Sequence, residues 1–332
     1  MTRCAVIGAG AWGTALANVL AGNGHETVLW AREADVVESI TANHVNERFL
    51  AGLPLNASLR ATGDMNDALD SAPFVVYAPP SHALRAVVHG ARGRVAPAAT
   101  VCVATKGIEN VSLSLMTDVV SDELPGRAVV AFSGPSFAAE VAVRQPTAVV
   151  AASTSVGAAD VAQEMFSNAV FRVYTSDDVP GVELGGSLKN VMAVATGIAE
   201  GLGLGFNSRA ALITRGLAEM SRLGIALGAK ERTFAGLAGL GDLVLTCTGS
   251  LSRNRALGVE IGRGKTLDEA LAGRETVAEG AVSCTSALAL ARREGVEMPI
   301  VEAVHRTLFE GYSARKTIED LMGRELRPEH DR

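Results

Sequence analysis

A short apolar run, Cys4 to Ile7, leads into Gly8-Ala9-Gly10-Ala11-Trp12-Gly13 and then into a helical pattern through Ala17 and Leu20. A strand that turns on glycines directly into a helix is the opening of a βαβ unit, which calls for a parallel sheet with helices on its faces. In that setting Gly8 permits the tight turn, Gly10 lets backbone approach a pyrophosphate, and Gly13 lets the helix lie against the strand. The helix N-terminus then faces the phosphates. The plainer alternative is a glycine turn without a ligand. Placement between a strand and a helix favours the dinucleotide reading.

The rest of the first half repeats this alternation, with strands expected at Cys4 to Gly8, Thr27 to Trp30, Phe74 to Tyr77, Thr100 to Ala104, Ala128 to Phe132, Thr147 to Ala151 and Phe171 to Tyr174. After Pro180 the strand-like runs stop and Ala-, Leu- and Gly-rich segments with helical spacing take over. The fold class is therefore α/β, an N-terminal Rossmann-like doubly wound sheet (residues 1–180) followed by an all-helical substrate domain (181–332). Gly181 to Glu200 reads as one long helix, with later helices beginning near Ser208, Ser252, Gly280 and Pro299, and ELRPEHDR reads as a solvated tail. At 332 residues and 48% hydrophobic composition the chain can fill two cores.

The formal charge of −6 gives no global field for nucleic acid or an anionic membrane, so any bound anion must be held locally. No apolar stretch of about 18 residues occurs, which argues against membrane insertion and for a cytoplasmic protein. Cys4, Cys102, Cys247 and Cys284 show no C-x-x-C spacing and the six histidines no ligand spacing, so reduced core thiols and no metal site are expected.

Ligands of open parallel sheets lie beyond the carboxyl ends of the strands, which directs attention to polar residues there. Arg32 follows the second strand, where a carboxylate would accept from an NAD ribose 2′-hydroxyl. Its guanidinium suits a 2′-phosphate and tilts the choice of NADP or NAD toward NADP, although Glu33 can serve the hydroxyl and a solvated surface arginine fits equally. Lys106 can place a positive charge in the crevice, or be an exposed loop lysine. Gly134 and Ser136 can offer donors to a ligand, and Ser136 can cap a helix. Ser81 reads as the N-cap of the run His82 to Val88, with His82 structural.

In the second half, Gly185, Gly186 and Ala193 share a helix face with Lys189. Two helical glycines cost roughly 1 kcal/mol each, so a close approach by backbone or ligand is expected beside that lysine, whose pKa burial can lower until it exchanges a proton near neutral pH. The alternative is a surface lysine with glycines for packing. Gly236 to Asp242 reads as a glycine-rich loop ending in a carboxylate. Ser252-Arg253-Asn254 at a helix start suits a phosphate, or is a capped helix with solvated arginines.

Together, GAGAWGTALA, TKGIE, FSGPSFAAE, VELGGSLKNVMAVATG, AGLGDLVLTCT, LSRN and VAEG, in this order and spacing, resemble the bacterial NAD(P)-dependent glycerol-3-phosphate dehydrogenases over nearly the whole chain. That resemblance implies hydride transfer between sn-glycerol 3-phosphate and dihydroxyacetone phosphate, in support of glycerophospholipid synthesis, by a homodimer. It implies Lys189 as proton acceptor, and Lys106, Gly134, Ser136, Lys189, Asp242, Ser252, Arg253 and Asn254 around the substrate. On the cofactor side it implies the turn Gly8, Gly10, Ala11, Trp12 and Gly13, with Arg32, Lys106, Ala138, Arg253, Val277 and Glu279. Ala11 stands where some relatives have serine, which removes a hydroxyl donor and leaves the backbone donors. Two other readings share parts of this pattern. A 3-hydroxyacid dehydrogenase of the same build would need a carboxylate site, and a non-catalytic NADP-sensing regulator has no use for Lys189, Asp242 and a second anion site.

Overall fold

The computed structural model describes residues 1–273, 279–326 and 328–329. Its strands are β1 (Arg3–Ile7), β2 (Glu26–Trp30), β3 (Val45–Asn46), β4 (Leu50–Pro54), β5 (Arg60–Thr62), β6 (Phe74–Tyr77), β7 (Thr100–Val103), β8 (Ala128–Ser133), β9 (Thr147–Ala152) and β10 (Phe171–Ser176). Eight of them form one sheet in the order β10-β9-β8-β7-β6-β1-β2-β5, with β3 and β4 a separate antiparallel pair. The central strands are buried on both faces, which is why they read as unbroken β-branched runs. In register, Ile7 pairs with Tyr77, Tyr77 with Val103 and Val103 with Ala131. The segments that follow these four strands, beginning at Gly8, Ala78, Ala104 and Gly134, therefore leave the sheet along one edge.

The expectation of a purely parallel sheet needs one correction. β8 and β9 are antiparallel, and β10 runs parallel to β9, so the last two strands oppose the rest. The link from Gly134 to Pro146 contains only the short helix Ala138–Ala142 and stays at the edge where β8 ends, so β9 starts from that same edge. Stacked and edge-on contacts among Phe74, Phe132, Phe166 and Phe171 tie this reversed pair into the core. β3, β4 and β5 were not anticipated. They span two, five and three residues, and β4 carries Gly52 and ends on Pro54, so they leave almost no alternating pattern to read.

The helical part begins at Val179, where the Asp178 carboxylate accepts from the Gly181 amide at 3.1 Å. The helix Val179–Gly201 is buried without a break from Gly181 to Ala199, because other elements surround it on all sides. Against it lie the helices Phe206–Ala226, Arg253–Gly262, Glu279–Arg293 and Pro299–Phe309, close to the expected starts. The crossing with Arg253–Gly262 is backbone on backbone. A Cβ at Gly197 would stand 2.1 Å from the Arg255 carbonyl oxygen, and one at Gly258 2.2 Å from that of Val194. The glycine-rich stretch before Asp242 is a π-helical turn, Leu237–Gly241, running into the helix Asp242–Thr248, where a loop was expected. The short helices Glu231–Phe234 and Leu267–Leu271 and the helix Ala314–Met322 were also not anticipated. Within the expected solvated tail, Glu325, Leu326, Pro328 and Glu329 are exposed. The four cysteines are free and buried, as expected, and burial pushes the thiols of Cys4, Cys247 and Cys284 up to about 12.

Candidate active site at the junction of sheet and helices

The glycine turn has the geometry its sequence implies. Gly8 has φ +114°, and a Cβ there would come within 2.8 Å of the Pro79 nitrogen; one at Gly13 would stand 1.9 Å from the Gly8 carbonyl oxygen. Gly10 is the N-cap of the helix Ala11–Gly22 and has no side chain to satisfy the first-turn amides, which leaves them for an anion. The indole Nε1 of Trp12, in that first turn, is buried without a hydrogen-bond partner among the described residues. The turn is pinned from below by Asn46, whose amide donates to the Ala9 carbonyl at 2.9 Å and to the Thr14 hydroxyl at 2.8 Å. Ala138 begins a helix packed on the same glycine-turn helix. Arg32 stands apart at the end of β2, 82% exposed and paired with Glu33 at 2.7 Å. Val277 lies outside the described residues.

Across the edge of the sheet sits the charged centre. Lys106, after β7, donates to the Gly134 carbonyl at 3.1 Å and to Asp242 Oδ2 at 2.8 Å; Lys189, on the long helix, donates to Asp242 Oδ1 at 2.5 Å. Asp242 is 0% exposed and Lys189 8%. Two ammonium groups thus share one buried carboxylate. Burial pushes the Lys189 amine down from the ordinary lysine range to about 8; Asp242 opposes the change and the neighbouring Lys106 adds to it. The glycines beside Lys189 are there for close approach, as expected. A Cβ at Gly185 would stand 2.2 Å from the Ala238 carbonyl oxygen, and one at Gly186 2.4 Å from Ser133 Oγ and 3.3 Å from Lys106 Cδ. The long helix can therefore bring Lys189 up to Asp242 and Lys106 only because positions 185 and 186 lack side chains.

The third component is the N-terminus of the helix Arg253–Gly262. Ser252 caps it, accepting from the Arg255 amide at 3.2 Å. Arg253, next in the chain, is exposed and makes no hydrogen bond or ion pair among the described residues, so its guanidinium is available. Asn254 is locked at both ends of its amide. It donates to Asn190 Oδ1 at 2.9 Å and accepts from the Gly280 backbone N–H at 2.9 Å. Glu279, beside Gly280, accepts from the Ser81 hydroxyl at 2.7 Å and from the Ser81 amide at 3.3 Å.

One local expectation and one alternative reading fail here. Ser81 opens a 3-10 turn without capping it, because its hydroxyl is turned to Glu279, and Ser136 donates to the Gly134 carbonyl at 3.0 Å while Phe137 occupies the N-cap. Asn190, Asn46 and Thr246 were missed. Thr246 follows Asp242 by four residues on one helix and donates to its carbonyl at 2.6 Å, a contact that helical spacing could have suggested. Asn190 meets a partner 64 residues away, which no local pattern announces. Among the described residues no group of three or more His, Cys, Asp or Glu could hold a metal ion.

Known proteins match this chain over nearly its whole length. A family model described as NAD-dependent glycerol-3-phosphate dehydrogenase N-terminus matches residues 3–159, and one described as the C-terminus of the same enzyme matches residues 178–319. A Trichlorobacter lovleyi protein called glycerol-3-phosphate dehydrogenase (NAD(P)+) is 51% identical over 331 residues, 98% of this chain and 99% of its own. One of the same description from Geobacter sulfurreducens is 50% identical over 330 residues, 98% of each chain. Among solved structures, glycerol-3-phosphate dehydrogenase from Coxiella burnetii superposes with a TM-score of 0.94 at 41% identity, covering 97% of this chain and 99% of that one. A ketopantoate reductase from Ralstonia eutropha, 18% identical with a TM-score of 0.63, shares the fold alone. With both halves of its length matched, the chain belongs to the NAD-dependent glycerol-3-phosphate dehydrogenase family.

Proposed function

We propose that the chain interconverts sn-glycerol 3-phosphate and dihydroxyacetone phosphate with NAD or NADP, and that Lys189 is the residue that moves the hydroxyl proton. The observation that carries this reading is the buried Lys106–Asp242–Lys189 bridge, which holds an amine with a pKa of about 8 at the edge of the sheet where the nucleotide turn also opens. The turn fits a dinucleotide. Gly8 and Gly13 let the turn pack on itself and on Ala78–Pro79, Gly10 leaves open space beside the backbone, the uncapped first-turn amides of Ala11 and Trp12 would hold a pyrophosphate, and the buried Trp12 N–H lacks a partner among the described residues. A bound nicotinamide supplies the acceptor for the hydride from the secondary carbon.

The chain's own contribution is position and charge. Neutral Lys189 accepts the hydroxyl proton as the carbinol becomes a carbonyl and returns it in reduction. Lys106 stabilises the oxygen as negative charge develops on it. Asp242, whose two oxygens accept from the two lysines, keeps the pair in place and keeps acceptor capacity for a substrate hydroxyl. Arg253 and the N-terminus of its helix hold the phosphate, with Gly134 and Ser136 also at the substrate, and Glu279 and Ala138 on the cofactor side. Hydride transfer then belongs to both parts of the chain, residues 1–180 binding the dinucleotide and residues 181–332 the substrate. The reading extends to a cytoplasmic homodimer feeding glycerophospholipid synthesis, as the resemblance implies. Among the described residues no single helix is long and apolar enough to cross a membrane.

The test is loss of absorbance at the reduced-nicotinamide band with purified protein, dihydroxyacetone phosphate, and NADPH or NADH in separate cuvettes. Rapid oxidation is expected, and the ratio of the two rates reads what Arg32 does; no oxidation with either cofactor overturns the proposal. Arg253→Ala should raise KM for dihydroxyacetone phosphate by roughly 30-fold, the equivalent of about 2 kcal/mol for a lost charge-assisted contact. Unchanged KM in steady-state kinetics would place the phosphate elsewhere.

A further inference from the structure

One hydrogen-bonded chain runs across the cleft without touching the lysine pair. It starts at the strap Ala78 to Ser81, which follows β6. The strap packs against the nucleotide turn, since a Cβ at Gly8 would stand 2.8 Å from the Pro79 nitrogen and 2.9 Å from the Ala78 carbonyl carbon. It also packs against the Lys106 loop: Thr105 donates to the Pro79 carbonyl at 2.7 Å, and a Cβ at Gly107 would stand 2.5 Å from Ser81 Cβ. From Ser81 the chain crosses to the Glu279 carboxylate, which receives both the Ser81 hydroxyl and the Ser81 amide. The next residue, Gly280, donates its amide to Asn254, and Asn254 donates to Asn190, the neighbour of Lys189. Arg253 precedes Asn254.

Glu279 is partly buried, and its hydrogen bonds among the described residues come from Ser81 alone, with the Arg253 guanidinium as a nearby positive charge. Holding a carboxylate there costs solvation that an apolar contact would not. The cost is understandable if the contact transmits position. The strap cannot shift against the nucleotide turn without moving Ser81, and Ser81 cannot move without dragging the start of the helix Glu279–Arg293 and, through Gly280, the side chain of Asn254.

We propose that Ser81 is a positioning residue that links occupancy of the nucleotide turn to the placement of Asn254 and Arg253, so that cofactor and phosphorylated substrate tighten each other's binding. The inference rests on the function proposed above. Linkage of this kind is reciprocal and is measured as the ratio of a ligand's Kd without and with its partner. The pair NADPH and glycerol 3-phosphate is suitable because both are reduced and cannot react. NADPH fluorescence titrations, with and without saturating glycerol 3-phosphate, are expected to give a ratio of roughly fivefold or more in the unaltered protein. Ser81→Ala should bring the ratio to about one while the Kd for NADPH alone changes by less than about threefold, and Ser81→Thr, which keeps the hydroxyl, should restore it. Glu279→Gln in the Ser81→Ala background should cause no further loss of linkage, because the two act as one contact.

A ratio of one in the unaltered protein, or an undiminished ratio in Ser81→Ala, overturns the inference even if turnover is normal. Failure of the unaltered protein both to bind NADPH and to turn over dihydroxyacetone phosphate overturns instead the functional reading beneath it.

Discussion

Lys189→Met is expected to lower turnover by about three orders of magnitude in both directions while the Kd for NADPH stays within a few-fold, the loss being that of a positioned proton-transfer group. Methionine keeps the length and removes the amine. Since Lys189 is buried and its charge is costly there, the variant loses an ion pair with Asp242 but also a desolvation penalty, and Lys106 still neutralises the carboxylate at 2.8 Å. The melting temperature should therefore move little, which separates a chemical defect from a folding one. Rates measured at saturating substrate and cofactor, with fluorescence titration of NADPH, check both halves. Turnover within tenfold of the unaltered protein would remove Lys189 from the proton-transfer role.

Asp242→Ala is expected to damage fold and activity together. Its carboxylate is inaccessible to water and bonds two lysines, with Thr246 held to its backbone. Without it the two amines face one another in a place that penalises charge, and removing one partner of a buried pair costs about 3–5 kcal/mol. That corresponds to a fall in Tm of about 4–7 °C for a chain of this size. Turnover should fall as well at temperatures where the variant remains folded, because Lys189 loses the carboxylate that holds it and Lys106 keeps only the Gly134 carbonyl. Calorimetry and single-turnover rates on the same preparation check this. An unchanged Tm would mean that the two lysines find other counter-charges.

The sequence disclosed most of what depends on local chemistry. Buried strands announce themselves as β-branched runs, and Gly13 is required by the Gly8 carbonyl only five residues away, so the first strand, turn and helix could be placed closely, although Gly8 answers to Ala78 and Pro79 far along the chain. Lys189 stood out because two consecutive glycines in a helix need an explanation, and the Ala238 carbonyl and Ser133 hydroxyl against them supply it. The reversal of β9 was hidden because strand direction depends on where the link from β8 runs, and the strand's own residues carry no mark of it. Ser81 was misread as a cap, and the alternative of a cap at Ser136 fell away, for a related reason. A serine at the start of a helical run looks the same whether its hydroxyl caps that run, crosses to Glu279, or turns back to Gly134. The amide lock of Asn190, Asn254 and Gly280 joins three helices and exists only once they have packed.

The most direct test of the central claim is the pH dependence of kcat/KM for glycerol 3-phosphate oxidation. A proton acceptor must be neutral to act, and burial brings the Lys189 amine down to about 8, so kcat/KM should rise with pH through an apparent pKa near 8 and level above it. The reverse reaction, which needs the protonated amine, should fall through the same region. An oxidation profile that is flat between pH 6 and 10, or one whose rising limb persists unchanged in Lys189→Met, would contradict the account.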